Sequence, residues 1–229
     1  MIDKIYHAED RTLHRPAEIH QDTIRNVLKP SDLILNIMQL ESPLSWVEIF
    51  GNNHPLEIEI GFGKGGFLVQ SCQSFPEKNF LGIETAAKMA EYTAERLAKR
   101  NLTNARLLRA DAHYVLLRFV VSESVSAVHI YFPDPWPKKR HRKRRLFQVE
   151  FLYTLLKILK PEGHVYFATD FQEYFEEVQE LFEKFPKFIS LDPTDWVNSR
   201  PDKAITNYET KYRREGRPIY YALYRKDRF

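Results

Sequence analysis

Leu56-Glu57-Ile58-Glu59-Ile60-Gly61-Phe62-Gly63-Lys64-Gly65-Gly66 is a short apolar-rich run that enters a glycine loop. Glycines let the backbone turn tightly and approach a ligand without side-chain obstruction, and Gly65 to Ser74 continues as a helix. Strand, turn and helix in that order is the unit of a doubly wound sheet. The unit repeats downstream. Asn79 to Ile83 is a second strand, and Ala86 to Arg100 is a helix by its Ala, Glu, Lys and Arg content. Ala105 to Arg109 and Ala112 to Val121 form a third pair, and Ser126 to Phe132 supplies a fourth strand. Leu146 to Leu159 reads as a helix closed by Lys160-Pro161-Glu162-Gly163, with a strand from His164 to Thr169 and a helix over about Phe171 to Phe185. A strand near Phe188 to Leu191, a polar stretch through Arg217 and a last strand at Ile219 to Tyr224 complete the pattern. The expected fold is α/β, a doubly wound Rossmann-like and mostly parallel sheet over residues 55–229. Residues 1–54, with Pro16, Pro30 and Pro43 and no sustained periodicity, read as an N-terminal extension.

In such a sheet the ligand crevice lies outside the carboxyl ends of the strands. Gly61, Glu84, Asp111, Asp134 and Asp170 all fall there. Gly61, Gly63 and Gly66 fit a dinucleotide pattern, and Glu84 stands where a carboxylate commonly binds ribose hydroxyls, so a nicotinamide cofactor is one reading. Glu59 favours another. An acid just before the glycines repels a pyrophosphate but attracts a cationic amino group, such as that of S-adenosylmethionine. Asp111 could accept from an adenine amino group. The plainer alternative for each acid is a solvated surface carboxylate, and for the loop a turn with no ligand.

Residues 131 to 145, Tyr-Phe-Pro-Asp-Pro-Trp-Pro-Lys-Lys-Arg-His-Arg-Lys-Arg-Arg, hold an acidic turn between prolines, followed by eight residues of which seven are cationic. Each proline fixes its own φ and restricts the residue before it, which suits a carboxylate that must be aimed. Lys138, Lys139, Arg140, Arg142, Lys143, Arg144 and Arg145 repel one another unless a polyanion screens them, so phosphate is the natural partner. Trp136 could stack on a base or brace the loop. Tyr220, Tyr221 and Tyr224, in a terminal strand, read as core and edge packing rather than a stacking platform.

The net charge of the 229 residues is only +3, and without those seven cations the balance is 27 basic against 31 acidic. The basicity is local and points to one docking surface. Hydrophobic content of 43% supports a buried core, and the single cysteine, Cys72, excludes an internal disulfide and fits a reducing compartment. Met1-Ile2-Asp3-Lys4 opens no apolar signal segment and no run is long enough to span a bilayer, so a cytoplasmic location without membrane association is expected. His7, His14, His20 and His141 have no metal-cage spacing, and no metal is expected.

The residues resemble the bacterial tRNA guanine-N7 methyltransferase family. The resemblance covers about residues 56 to 224. It rests on Glu59 with the Gly61 loop, Gly82-Ile83-Glu84, Asp111-Ala112, Pro133-Asp134-Pro135-Trp136-Pro137-Lys138-Lys139-Arg140-His141, Thr169-Asp170 and Thr206-Asn207-Tyr208-Glu209. It implies a class I methyltransferase sheet with a C-terminal antiparallel strand, S-adenosylmethionine as cofactor, S-adenosylhomocysteine as product, and tRNA rather than DNA as partner. A homodimer is compatible with it. By the same resemblance Glu59, Gly61, Gly63, Glu84, Asp111, Ala112 and Asp134 bind the cofactor, and Asp134 is catalytic. Lys138, Asp170, Thr206, Asn207, Tyr208 and Glu209 bind substrate, and Arg140, His141, Arg142, Lys143, Arg144 and Arg145 contact RNA. Phe62 departs from the pattern, which has a small residue there in many members. Two rivals stay open on the residues alone: a nicotinamide-dependent oxidoreductase and a catalytically idle RNA-binding protein.

Overall fold

Leu56, Ile58 and Ile60 enter one apolar core from the strand Leu56–Ile60, while Glu57 and Glu59 lie on its other face, the period-two alternation of a strand. A computed structural model describes residues 28–199 and 206–228. Among them, eight strands form one sheet: β1 (Ile34–Leu35), β2 (Leu56–Ile60), β3 (Asn79–Glu84), β4 (Ala105–Arg109), β5 (Val125–Tyr131), β6 (Leu159–Thr169), β7 (Phe188–Leu191) and β8 (Tyr220–Lys226). Their spatial order is β1-β4-β3-β2-β5-β6-β8-β7. Neighbours from β1 through β6 pair in parallel, and β8 runs antiparallel to both β6 and β7. This is the mostly parallel sheet expected, with its antiparallel strand near the C-terminus.

The helices are α1 (Pro30–Leu33), α2 (Trp46–Phe50), α3 (Gly66–Ser74), α4 (Ala87–Ala98), α5 (Ala112–Arg118), α6 (Val149–Ile158), α7 (Gln172–Glu183), α8 (Thr194–Ser199) and α9 (Asn207–Arg214). Val115, Leu116, Phe151, Leu152, Tyr174 and Val178 from α5, α6 and α7 form the core on one face of the sheet. Leu33, Leu68, Cys72, Ala94 and Leu97 from α1, α3 and α4 form the second core. Helices cover both faces, which permits a buried parallel sheet.

Three expectations change. Residues 28–54 are part of this architecture, whereas 1–27 lie outside the described residues. Leu33 is fully buried, β1 extends the sheet beside β4, the Leu44 amide donates to the Phe119 carbonyl at 2.8 Å, and Trp46 Nε1 donates to Ser124 Oγ at 3.2 Å. The helix expected over Leu146 to Leu159 is shorter, and Lys160-Pro161-Glu162-Gly163 is no helix cap. Leu159 already pairs with Val125, and the pairing shifts register before His164 meets Ala127. Pro161 sits in that interruption, where no ladder amide is missed. Finally, the polar stretch before Arg217 contains α9, capped by the Thr206 hydroxyl, which accepts the Glu209 amide at 3.0 Å.

Candidate active site

Strand order reverses at β2, whose neighbours are β3 and β5, so the crevice of a doubly wound sheet opens where these three strands end. The glycine loop leaves β2 with Gly61, Gly63 and Gly65 at φ of 74°, 49° and 64°, a region side chains disfavour. Its backbone is tied down. The Gly61 amide donates to the Ile83 carbonyl at 2.8 Å, the Gly63 amide to Glu84 Oε2 at 3.0 Å, and Thr93 Oγ1 to the Gly63 carbonyl at 3.1 Å. Phe62 turns inward and is 4% exposed in the second core. The departure from a small residue is absorbed by the core, and Gly61 and Gly63 face open space.

Glu59 is 3% exposed, and its Oε2 is buried without a hydrogen-bond partner among the described residues. Burial, then the charge of Glu84, push its carboxyl up to about 8, against a smaller lowering by the Leu68 amide. Glu84 is fixed in a different way: besides Gly63 it accepts the Thr85 amide at 2.8 Å and the Ala86 amide at 3.0 Å. Asp111 caps α5, its Oδ1 accepting the Tyr114 amide at 2.9 Å, and Ala112 is buried behind it. A cavity of about 560 Å³ lies here, lined by Thr85 and Arg109 to Asp111 on one side and by Ile34 to Ile37 on the other. The second wall has no sequence signal, because nothing in a two-residue strand announces its partner.

Asp134 is exposed at the end of β5. Phe132 at φ 51° and Trp136 at φ 41° flank the Pro133-Asp134-Pro135 segment. Left-handed non-glycine residues cost about 1–3 kcal/mol each and persist where surrounding contacts enforce them. Those contacts are visible: the Phe132 amide donates to the Ala168 carbonyl at 2.7 Å, and the Trp136 ring lies against the edge of His141 and under the Arg144 guanidinium, 5.1 Å from its centroid. Trp136 braces the turn. Lys138 precedes a six-residue 3-10 helix over Lys139–Arg144, and Lys138, Lys139, Arg140, Lys143 and Arg144 are exposed. Arg142 is partly drawn away, paired with Glu173 at 2.8 Å and Glu177 at 2.9 Å.

Arg145 corrects the expectation for the basic run. Its side chain is 1% exposed, with Nη2 3.2 Å from Glu173, Nη1 on Glu177 and Nε donating to the Pro135 carbonyl at 2.7 Å. It cannot reach an RNA phosphate from there. Asp170 is also engaged, its Oδ2 2.9 Å from Arg217 Nη1. Glu209 is fully buried, bonded to Tyr221 at 2.6 Å and Arg213 at 2.7 Å, contacts that tie α9 to β8. Thr206 serves as the cap. Asn207 and Tyr208 remain exposed, with Asn207 so close to Gly66 that a Cβ there would lie 2.6 Å from its Oδ1. The α9 segment therefore abuts the start of α3, beside the glycine loop. Tyr224 stacks on Phe182 at 3.6 Å and is core, as expected for the terminal tyrosines.

A family model described as "Putative methyltransferase" matches residues 53–222. The chain is 36% identical over 197 residues to a tRNA (guanine-N(7)-)-methyltransferase of Syntrophotalea carbinolica, covering 86% of this chain and 85% of that one. A tRNA (guanine-N(7)-)-methyltransferase of Geobacter metallireducens is also 36% identical over 197 residues, covering 86% and 93%. Among solved structures, the 16S rRNA methyltransferase KamB matches with a TM-score of 0.56 at 13% identity, over 82% of this chain and 95% of that one. At that identity the likeness speaks for the fold alone.

Proposed function

The chain belongs to the tRNA (guanine-N(7)-)-methyltransferase family, and on that premise we propose that it transfers the methyl group of S-adenosylmethionine to N7 of a guanine in the variable loop of tRNA. The products are N7-methylguanosine and S-adenosylhomocysteine. The observation that carries this reading is the Oε2 of Glu59, a buried carboxylate oxygen at a strand end with no hydrogen-bond partner among the described residues. A buried acid without a partner is costly, and a cationic amino group removes that cost. The amino-acid half of S-adenosylmethionine fits there. A pyrophosphate does not, which disfavours a nicotinamide cofactor.

Glu84, oriented by three backbone amides, presents its carboxylate to ribose hydroxyls, and the cavity beside Asp111 and Ala112 takes the adenine. The cofactor supplies an electrophilic methyl group on a positively charged sulfur. Guanine N7 has an in-plane lone pair and no proton to lose, so the protein must align it rather than deprotonate it. Asp134 holds the guanine through its N1 and N2 hydrogens and offsets the positive charge that grows on the ring. Lys138, Arg140, Lys143 and Arg144 grip the adjoining phosphates, and Asn207 and Tyr208, exposed at the start of α9, meet the substrate as well. Among the described residues no helix is long and apolar enough to cross a membrane.

The test is transfer of labelled methyl from S-adenosylmethionine to unmodified tRNA, followed by nucleoside analysis. N7-methylguanosine that disappears when the variable-loop guanine is replaced is expected. Binding of tRNA without methyl transfer would assign the chain to the idle RNA-binding class.

A further inference from the structure

Of the seven cations in residues 138–145, one points into the protein. Arg145 has a 1% exposed side chain, the Tyr174 ring 4.9 Å from its guanidinium carbon and the Phe171 ring at 6.0 Å. A guanidinium is buried only when its donors are spent on well-placed acceptors. Here the acceptors are Glu173 and Glu177, four residues apart on α7, and the carbonyl of Pro135. Pro135 directly follows Asp134. Its carbonyl belongs to the peptide that enters Trp136, one of the two left-handed residues flanking the Asp134 segment.

Upstream, the segment is pinned by the Phe132 amide on the Ala168 carbonyl of β6. Downstream, between Pro135 and the basic turn, the planar guanidinium is the pin, and α7 is what it is fastened to. We infer that Arg145 is a positioning residue that fixes the Asp134 carboxylate by clamping the Pro135 carbonyl to Glu173 and Glu177, and is not a tRNA contact. This rests on the reading of Asp134 as the group at the methyl-transfer point. The basic run is thereby split in role, with the outward cations holding nucleic acid and the last one setting the geometry of the acid. A lysine cannot replace it, because one ammonium lacks the fork that reaches a carbonyl and two carboxylates at once.

The experiment compares Arg145→Lys, Arg145→Gln, the pair Glu173→Gln with Glu177→Gln, and Arg144→Ala. Turnover is expressed per S-adenosylhomocysteine-binding site, which corrects for misfolded protein, and tRNA affinity is measured across salt concentrations. Arg145→Lys and the double glutamine variant should each lose about tenfold or more in kcat. The salt dependence of tRNA binding by Arg145→Gln should stay that of the unaltered protein, whereas the double glutamine variant also releases Arg142 and should steepen it. Arg144→Ala should flatten that dependence by about 0.7 to 0.9 in log–log slope. Arg145→Gln removes the charge that Arg145→Lys keeps: if it flattens the slope as Arg144→Ala does, Arg145 is a phosphate contact and the inference is overturned. Wild-type kcat in the double glutamine variant, which leaves every cation in place, overturns it as well. Absence of methyl transfer by the unaltered protein would instead refute the proposed function.

Discussion

Glu84 at the end of β3 acts on Glu59 at the end of β2: burial first, and then the negative charge of Glu84, hold the Glu59 carboxyl at about 8 against an ordinary 4.5. The folded protein therefore keeps a proton there that the unfolded chain releases. Stability is fully present below 4.5 and falls as pH rises toward 8. Glu59→Gln removes this dependence and should raise stability by roughly 2 to 4 kcal/mol above pH 8. The same variant should bind S-adenosylmethionine at least about tenfold more weakly. Urea unfolding from pH 5 to 9 and calorimetric titration with the cofactor read the two effects; a gain in stability that did not vary with pH would contradict titration of Glu59 as its cause.

Glu57, two residues earlier on the same face, behaves in the opposite sense. Burial alone would raise its carboxyl, but the hydrogen bond and charge of His129 and the charge and hydrogen bond of Lys78 outweigh it and bring it down to about 2. Stability from this group is present above 4.5 and lost as pH falls toward 2. Glu57→Gln should lower stability by roughly 2 to 3 kcal/mol at pH 7. The loss should shrink progressively below pH 4.5, which acid titration of the unfolding midpoint would detect.

Asp134→Asn keeps the shape of the turn and removes its charge. We expect kcat to fall by about a hundredfold with tRNA affinity changed less than about threefold. Asp170→Asn, which breaks the ion pair with Arg217, should raise KM for tRNA more than it lowers kcat. Steady-state kinetics at varied tRNA separate the two, and equal turnover for Asp134→Asn and the unaltered protein would remove Asp134 from the chemistry.

Phe62 and Gly82 share one space. A Cβ at Gly82 would lie 2.7 Å from Phe62 Cδ1, and 2.9 Å from side-chain atoms of Leu68 and Leu107. Gly82→Ala should destabilise by about 1 to 3 kcal/mol through overpacking. Phe62→Ala alone should destabilise by about 3 to 5 kcal/mol through the cavity it leaves. The double variant should be less destabilised than the two single effects combined, because the added methyl occupies part of the vacated space. Denaturant unfolding of the four proteins completes the cycle.

What could be read from the sequence follows how local its cause is. The glycine loop, Glu59, Glu84 and Asp111 were legible because turn chemistry and strand period place them without reference to distant residues. The inward turn of Arg145 was not, since Glu173 and Glu177 lie 28 and 32 residues away and nothing in a run of cations marks one as different. Ile34 to Ile37 could not be assigned to the cavity wall for the same reason: β1 is two residues long and its position is set by β4. Helix α9 did carry a local signal, Thr206 three residues before Glu209, the spacing of a helix cap. The acids at Asp170 and Glu209 read as available from sequence. Arg213 lies one helical turn on from Glu209 within α9, while Arg217 and Tyr221, which also engage these acids, follow α9 or stand in β8.

The segment Pro133-Asp134-Pro135-Trp136-Pro137 has three residues without an N–H, so its backbone is rich in acceptors and poor in donors. It ends where the exposed lysines and arginines begin. A nucleotide lying across that boundary meets two surfaces of opposite preference a few residues apart. Its phosphate is repelled by the proline segment and drawn to the cations, while the hydrogen-donating edge of a guanine is suited only to the former. Under the proposed function, the order of residues along one loop would orient the nucleotide.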